Sequence, residues 1–392
     1  MSSEAVIVDV VRTPVGRGKP GGMLSGVHPV DLAAGVLQSL LERNGIESGQ
    51  VDDVLLGCVS QVGDQAMNIA RQAVLAAGFD ETVPATTIDR QCGSSQQAVH
   101  FAAAGIAAGE SDIVIVGGVE SMSRVPLGAS AVGGSPMSPR LRARYPDGLV
   151  NQGVSAELIA QRWGLDRDRL DAYAAQSHAR AAQAWCDGFF DRTVVAVPEA
   201  PDARVDETVR EGTTADRLAG LPASFRTDAL AARFPDLDWA ITPGNSSPLT
   251  DGASAALMMS ADRAEQLGLT PRARLRAFDV IGDDPMLMLT GPIPATRRVL
   301  ERAGMSIDDL DAYEVNEAFA SVPLAWAAEL GADPAKLNPR GGAIALGHAL
   351  GSSGTRLLGT LLDHLEATGG RLGLQTMCEG GGMANALILE RL

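Results

Sequence analysis

A chain of 392 residues, 45% hydrophobic and 20% charged, can bury one large core or two smaller ones. Its net charge of −16 opposes non-specific binding to nucleic acid, whose affinity comes largely from neutralised phosphates, so no nucleic-acid partner is expected. The start MSSEAVIVDVVRTP lacks a basic segment followed by a long apolar run, and no stretch approaches the roughly 18 apolar residues of a membrane span, so a cytoplasmic protein is expected.

The run AVIVDVV reads as a first strand. GRGKPG (16–21) after it matches a dinucleotide-binding glycine pattern, but Pro20 and the loop through Gly26 prevent a helix from opening. No suitable acid follows about twenty residues on, so nicotinamide binding is discounted. LERNGIESGQVDDVLLG (41–57) can be laid without gaps on LERAGMSIDDLDAYEVN (300–316), with Leu, Glu, Arg, Gly and one Asp coinciding. After each copy comes a Gly/Ser turn opening an apolar helix, from 93 and from 351, and then a strand-like run, 112–118 and 371–377. The chain therefore reads as two similar α/β halves. In the later helix, Leu357, Leu358, Leu361, Leu362 and Leu365 form one apolar stripe. Residues from about 119 to 249 break the pattern with a glycine- and proline-rich stretch, a helix at 166–187 and a charged segment, which reads as an inserted helical and loop domain.

Four cysteines, at 58, 92, 186 and 378, are too few for a disulfide scaffold and lack the paired spacing of a zinc site, so no metal is expected. VPATTIDRQCGSSQQAV places Cys92 after a β-like run and at the start of a helix, where the helix dipole and backbone N–H groups favour the thiolate. The alternative, a small buried hydrophobe, suits Cys58 and Cys186 better. Five histidines compete as its base, at 28, 100, 178, 348 and 364. His100 shares the helix, but eight residues put it roughly 12 Å along the axis. His178 and His364 sit within amphipathic helices and read as surface or boundary residues. His348, in GGAIALGHALGSSG, is surrounded by glycines that permit close backbone approach, and is the best candidate. Cys378 precedes three glycines joining two strand-like runs, a turn that could aim N–H groups at an oxyanion or be simply a hairpin. Asn316 in EVNEAFA could equally cap a helix.

Taken together, IDRQCGSSQQAV, GNSSPLTDGASAAL, YEVNEAFA, NPRGGAIALGHALGSSG and MCEGGGMANA resemble thiolases over essentially the whole chain, with order and spacing kept. The resemblance implies an α/β thiolase-like fold, in which two duplicated βαβαβ-type halves form five αβαβα layers. Residues 1–118, completed by about 250–270, would make the first half, 271–392 the second, and 119–249 an inserted loop domain covering the substrate. It also implies that Cys92 is acylated and that His348 activates it. Cys378 would act as an acid/base, and Asn316 would hold a water that binds the thioester oxygen together with His348. The N–H groups of Cys92 and Gly380 would form a second oxyanion hole, and Ser247, Met288, Ala318 and Phe319 would line the pantetheine channel. The implied partners are acyl-CoA and coenzyme A, the latter a cosubstrate and not a permanently bound cofactor. Lipid degradation by β-oxidation and a homodimer or homotetramer are implied as well.

Asp89 stands where many members have Asn, Ala349 follows His348 where Pro is usual, and Pro222 and Pro243 replace common small or basic residues near the coenzyme channel. Gln152 lies where acetoacetyl-specific members usually carry Met, which points to a 3-oxoacyl-CoA thiolase acting on longer or bulkier chains. The alternatives are an acetoacetyl-CoA-specific biosynthetic thiolase and a non-catalytic acyl-CoA or lipid carrier. A decarboxylating ketosynthase would use two histidines and lack the second cysteine. Arg140, Arg142 and Arg144 are candidates for the coenzyme A phosphates, or else a solvated basic face.

Overall fold

The computed structural model describes residues 4–392. The chain begins with β1 (Ala5–Arg12), β2 (Gly16–Arg17), α1 (Pro29–Asn44), β3 (Asp53–Gly57), α2 (Ile69–Ala76), β4 (Ala85–Ile88), α3 (Ser94–Ala108) and β5 (Ile113–Ser121). Next come α4 (Pro139–Arg144), α5 (Gln152–Arg162), α6 (Arg167–Cys186), α7 (Ala215–Ala219) and α8 (Asp228–Arg233), with no strand among these described residues. The chain returns through β6 (Thr250–Ser260), α9 (Ala261–Gln266), β7 (Ala273–Gly282), α10 (Pro292–Ala303), β8 (Ala312–Val315), α11 (Ser321–Leu330) and α12 (Ala343–Leu346). It ends with α13 (Ser353–Thr368), β9 (Leu372–Glu379) and β10 (Met383–Arg391). No described helix is long and apolar enough to cross a membrane.

The strands run β4-β3-β5-β6-β1-β7-β10-β9-β8, with β2 paired to β6. Outward from the centre, β1, β6, β5 and β3 on one side answer β7, β10, β9 and β8 on the other. The two half-sheets meet at a seam of only two residue pairs, Val6 with Arg274 and Ile7 with Ala273. They are therefore joined edge to edge, a link that the repeat alone did not reveal.

Both faces of each half-sheet are buried, so its strands carry apolar residues on both sides. In β5, Ile113, Ile115 and Val119 enter a core with α1 and α2, whereas Val114 and Val116 enter a central core with α3 and α13. In β10, Leu387 and Leu389 reach the same central core, and Ala384, Ala386 and Ile388 face a third core with α10 and α11. Three apolar cores thus separate five layers, with α3 and α13 packed on one another in the middle. The leucine stripe makes the α13 side of that middle layer: Leu358, Leu361, Leu362 and Leu365 lie in the central core, and Leu357 reaches the cluster around Cys92.

The repeat is a structural one. Helices α1 and α10 end at left-handed Gly45 and Gly304, a conformation that glycine adopts without a Cβ penalty. Each is followed by one turn of 3-10 helix closed by reciprocal caps, Glu47 with Gln50 and Ser306 with Asp309. The offset that lays Leu41 on Leu300 also carries Ser94, the first residue of α3, onto Ser353, the first of α13. It carries Glu120, near the end of β5, onto Glu379 at the end of β9.

Candidate active site

Cys92 sits on a turn between β4 and α3 in which Gln91 adopts a left-handed φ of 48°. Neighbouring side chains hold this costly conformation. Asp89 Oδ1 accepts from the Gln91 N–H at 2.7 Å, and Ser94 Oγ accepts from the Arg90 N–H at 2.9 Å while donating to the Gln91 carbonyl at 2.6 Å. Aspartate at 89 therefore does the same work of fixing the turn that an amide would. The Cys92 side chain is 3% exposed among Met122, Leu350, Leu357 and Met377.

The expectation of an acidified thiol is not met. Burial, and then the Glu379 carboxyl, push Cys92 up to about 12, although its own backbone N–H and a hydrogen bond with Gln152 act the other way. Desolvation outweighs the helix N-terminus because the thiolate would lie almost entirely out of water. The resting group is a thiol, and attack requires a base.

His348 has the properties that such a base needs. Its N–H donates to Thr250 Oγ1 at 2.9 Å, which seats the loop between α12 and α13 on the end of β6. Its ring Nδ1 is 2.7 Å from Ser353 Oγ, and Ser353 Oγ donates to the Ala349 carbonyl at 2.8 Å. The hydroxyl proton is thus committed, so Nδ1 carries the ring proton and Nε2 presents its lone pair. Asn316 Nδ2, 3.4 Å from Nε2, agrees with this tautomer. Burial, then the charge of Arg356, holds the imidazole down to about 3, which keeps it neutral and able to accept a proton.

Asn316 follows β8 and does not cap α11, whose N-cap is Ala320. Its Oδ1 is buried and has no hydrogen-bond partner in the protein. Cys378, 1% exposed near the end of β9, lies close enough to Cys92 for the Cys92 thiolate to oppose its ionisation. Burial first, then Cys92 and Glu379, keep it a thiol. Gly380 opens the turn to β10, in which Gly381 and Gly382 have φ of 85° and 78°.

A cavity of about 1060 Å3 reaches Gln91, the residue before Cys92, and Met122 and Leu350, which pack on Cys92. Its wall includes Gln152, Ser247, Met288, Ala318, Phe319, His348 and Gly380, which gathers residues from 152 to 380 in one space. The inserted segment supplies one side through Leu127, Ala131, Gly153 and Phe225, and Phe225 meets Phe319 edge-on at 5.9 Å between ring centres. Helix α4 follows the wall residues Ser135 and Pro136, and Arg142 turns back onto Ser135 Oγ at 2.9 Å and the Met137 carbonyl at 3.0 Å. Arg140 and Arg144 are exposed on the same short helix.

The other histidines stand apart. His100 is buried against Phe278 with both ring nitrogens unpartnered. His178 is buried at 5% exposure and accepts from the Arg210 N–H, because α6 is covered by the segment around 210, so the surface reading of it was wrong. Two partners of His348, Ser353 and Thr250, escaped sequence reasoning, although Ser353 lies inside the GSSG motif that had been singled out. No group of three or more His, Cys, Asp or Glu among the described residues is placed to hold a metal ion.

Comparison with known proteins agrees with this geometry. The thiolase N-terminal domain matches residues 5–262 and the thiolase C-terminal domain residues 269–391. The steroid 3-ketoacyl-CoA thiolase FadA6 of Mycobacterium tuberculosis is 47% identical, over 100% of this chain and 95% of that protein. A 3-ketoacyl-CoA thiolase of Aliivibrio salmonicida is 42% identical, over 98% and 99% of the two chains. The crystal structure of the Bacillus anthracis acetyl-CoA acetyltransferase superposes with a TM-score of 0.89 at 37% identity, covering 100% of this chain and 99% of that one. With two family domains in tandem along its length and relatives of this identity at full coverage, the chain belongs to the thiolase family.

Proposed function

We propose that this thiolase cleaves 3-oxoacyl-CoA esters with coenzyme A, giving acetyl-CoA and a shortened acyl-CoA. The observation that carries this reading is a neutral His348 in the cavity wall, whose unprotonated Nε2 is met only by the Asn316 amide, together with two buried thiols, Cys92 and Cys378, that lie close to one another. Nε2 takes the Cys92 proton, and the sulfur attacks the 3-oxo carbon. The bond to the α-carbon then breaks, and the acetyl-CoA enolate takes a proton from the Cys378 thiol. Cys378 next accepts the proton of incoming coenzyme A, whose sulfur displaces the acyl group from Cys92, and the released Cys92 thiolate recovers its proton from His348. Each oxyanion needs preorganised donors worth about 3 kcal/mol apiece. Asn316 with a water and His348 would serve the thioester oxygen, and the N–H groups of Cys92 and Gly380 the carbonyl under attack.

The acyl group is proposed to be long or ring-bearing. A 1060 Å3 cavity with Gln152 in its wall, and a steroid-named relative at 47% identity, support that reading over an acetoacetyl-CoA-specific enzyme. We further read 119–249 as the cover of the substrate, coenzyme A as a cosubstrate, the cytoplasm as the compartment, and a homo-oligomer as the assembly. Edge strand β4, with one sheet neighbour and with Met67 86% exposed, supports the last. Thiolysis rates across 3-oxoacyl-CoA esters from acetoacetyl to long-chain and ring-bearing test the reading. The largest kcat/KM is expected on the bulky esters, and a maximum on acetoacetyl-CoA would overturn it.

A further inference from the structure

Glu120 and Glu379 occupy the same place in the two halves, yet their surroundings differ. Glu120 reaches the start of α13 and accepts from the N–H groups of Val59, Ser60 and Gly351 at 2.9, 3.0 and 3.0 Å, and from Gln65 Nε2 at 2.8 Å. Glu379 reaches the start of α3, where its Oε1 fills the space that a Cβ on Gly93 would need. It is 0% exposed, and neither of its carboxyl oxygens has a hydrogen-bond partner. The repeat offset puts Ala318 and Phe319 opposite Val59 and Ser60, and Leu324 opposite Gln65. In the second half, then, the two backbone positions belong to the cavity wall and the amide donor is an apolar side chain.

An ionised carboxylate buried without donors is very costly, so Glu379 rests as a neutral acid. Asn385, whose Nδ2 also abuts Gly93, leaves its own Oδ1 unpartnered beside it. On β9, successive side chains point to opposite faces. Cys378 accordingly joins the apolar cluster with Met288 and Phe319, while Glu379 lies behind the Cys92 turn. We propose that Glu379 is a positioning residue for charge: its uncharged carboxyl, admitted by Gly93, lets Cys92 ionise during attack, and its ionised form would suppress both thiols. The charged and titratable groups facing it are Arg90 and Asp89 on the preceding loop and the two cysteines. Asn385 and Ser94 add only neutral polar groups from β10 and α3. Burial, with Asp89 opposing Arg90, lifts Glu379 to about 8.

This inference rests on Cys92 as the reactive thiol, and Glu379→Gln, which keeps the shape and stays neutral, tests it. Iodoacetamide alkylation is followed from about pH 6 to about pH 10, with the label located by peptide mass. Wild type and variant should react alike below about pH 8. Above it the wild type should lag about ten-fold, because a like charge within reach moves a thiol by about one unit. Label on the exposed Cys186 is expected in both proteins and is set aside by its peptide mass. Coincident curves with the label on Cys92 would overturn the role of Glu379 alone, and a label on Cys378 in place of Cys92 would overturn the reading of Cys92 as well. Melting curves give a second readout. The folded acid holds its proton from its unfolded value of 4.5 up to about 8, so wild-type stability falls as pH rises through that window. The melting temperature of Glu379→Gln relative to wild type should climb across the same window and then level off, and a constant difference would sink the proposal.

Discussion

The two halves share strands, helix caps and even a glutamate at the same strand end, but they diverge in what joins the last two strands. In the second half, β9 and β10 are linked by Gly380–Gly382, a turn so short that Cys378 and the Gly380 N–H stay fixed to the sheet. In the first half, the corresponding strands β5 and β6 are separated by the segment that holds α4 to α8, whose loops and the start of α5 supply a wall of the cavity. On the proposed function, the duplicated scaffold places an acid/base thiol at one of these turns and substrate selection at the other. The helix starts diverge in the opposite sense, because the offset that pairs α3 with α13 sets Cys92 of the first half opposite Gly351 of the second.

The cysteines test that division most severely. Cys92→Ala should abolish acylation and lower thiolysis by at least about 10^4-fold, since residues acting as a unit lose nearly all of their joint effect when one is removed. Cys378→Ala should still gain acetyl mass on the Cys92 peptide from acetyl-CoA, yet fail to condense it with a second acetyl-CoA. Mass on Cys378 in the wild type would reverse the assignment.

The glycine-bearing turns that carry Cys92, Cys378 and His348 were legible in the sequence. The repeat at 41–57 and 300–316 was legible because capped turns recur at fixed spacing. Other features depend on distant parts of the chain. The seam between β1 and β7 joins Val6 to Arg274, and no local pattern announces it. The raised Cys92 thiol results from burial beneath Met122, Leu350 and Leu357, which a helix-dipole argument cannot see. The matched glutamates became visible only when the strands were paired.

Ser353 offers the next test, because it sets the tautomer of His348 in the half that carries chemistry. Ser353→Ala should lower kcat by about 10^2-fold while leaving KM nearly unchanged, since the general base loses its orientation and not its substrate contacts. Steady-state kinetics check this. An unchanged kcat would mean that Asn316 alone holds the ring.

Glu120 sharpens the contrast between satisfied and unsatisfied acids. Glu120→Ala strands the N–H groups of Val59, Ser60 and Gly351, and should destabilise the protein by about 3–5 kcal/mol in chemical denaturation. A loss as small as that of a surface substitution would show that the four hydrogen bonds are replaceable.

The smallest effect is expected in the half that selects. Gln152 opens α5, lines the cavity and favours the Cys92 thiolate, so the proposed function places it near both the acyl group and the nucleophile. If the inserted segment governs selection while Cys92, His348 and Cys378 govern chemistry, Gln152→Met should alter the ratio of kcat/KM values between acetoacetyl-CoA and a bulky ester in favour of the small substrate. One side-chain contact is worth about 1–3 kcal/mol at most, so the ratio should move by about ten-fold and not by orders of magnitude. Methionine also removes the amide that favours the Cys92 thiolate, which should slow both substrates together and so cancel from the ratio. Equal slowing with an unchanged ratio would assign Gln152 to the chemistry. That result would carry the chemical machinery across the dividing line and into the inserted segment.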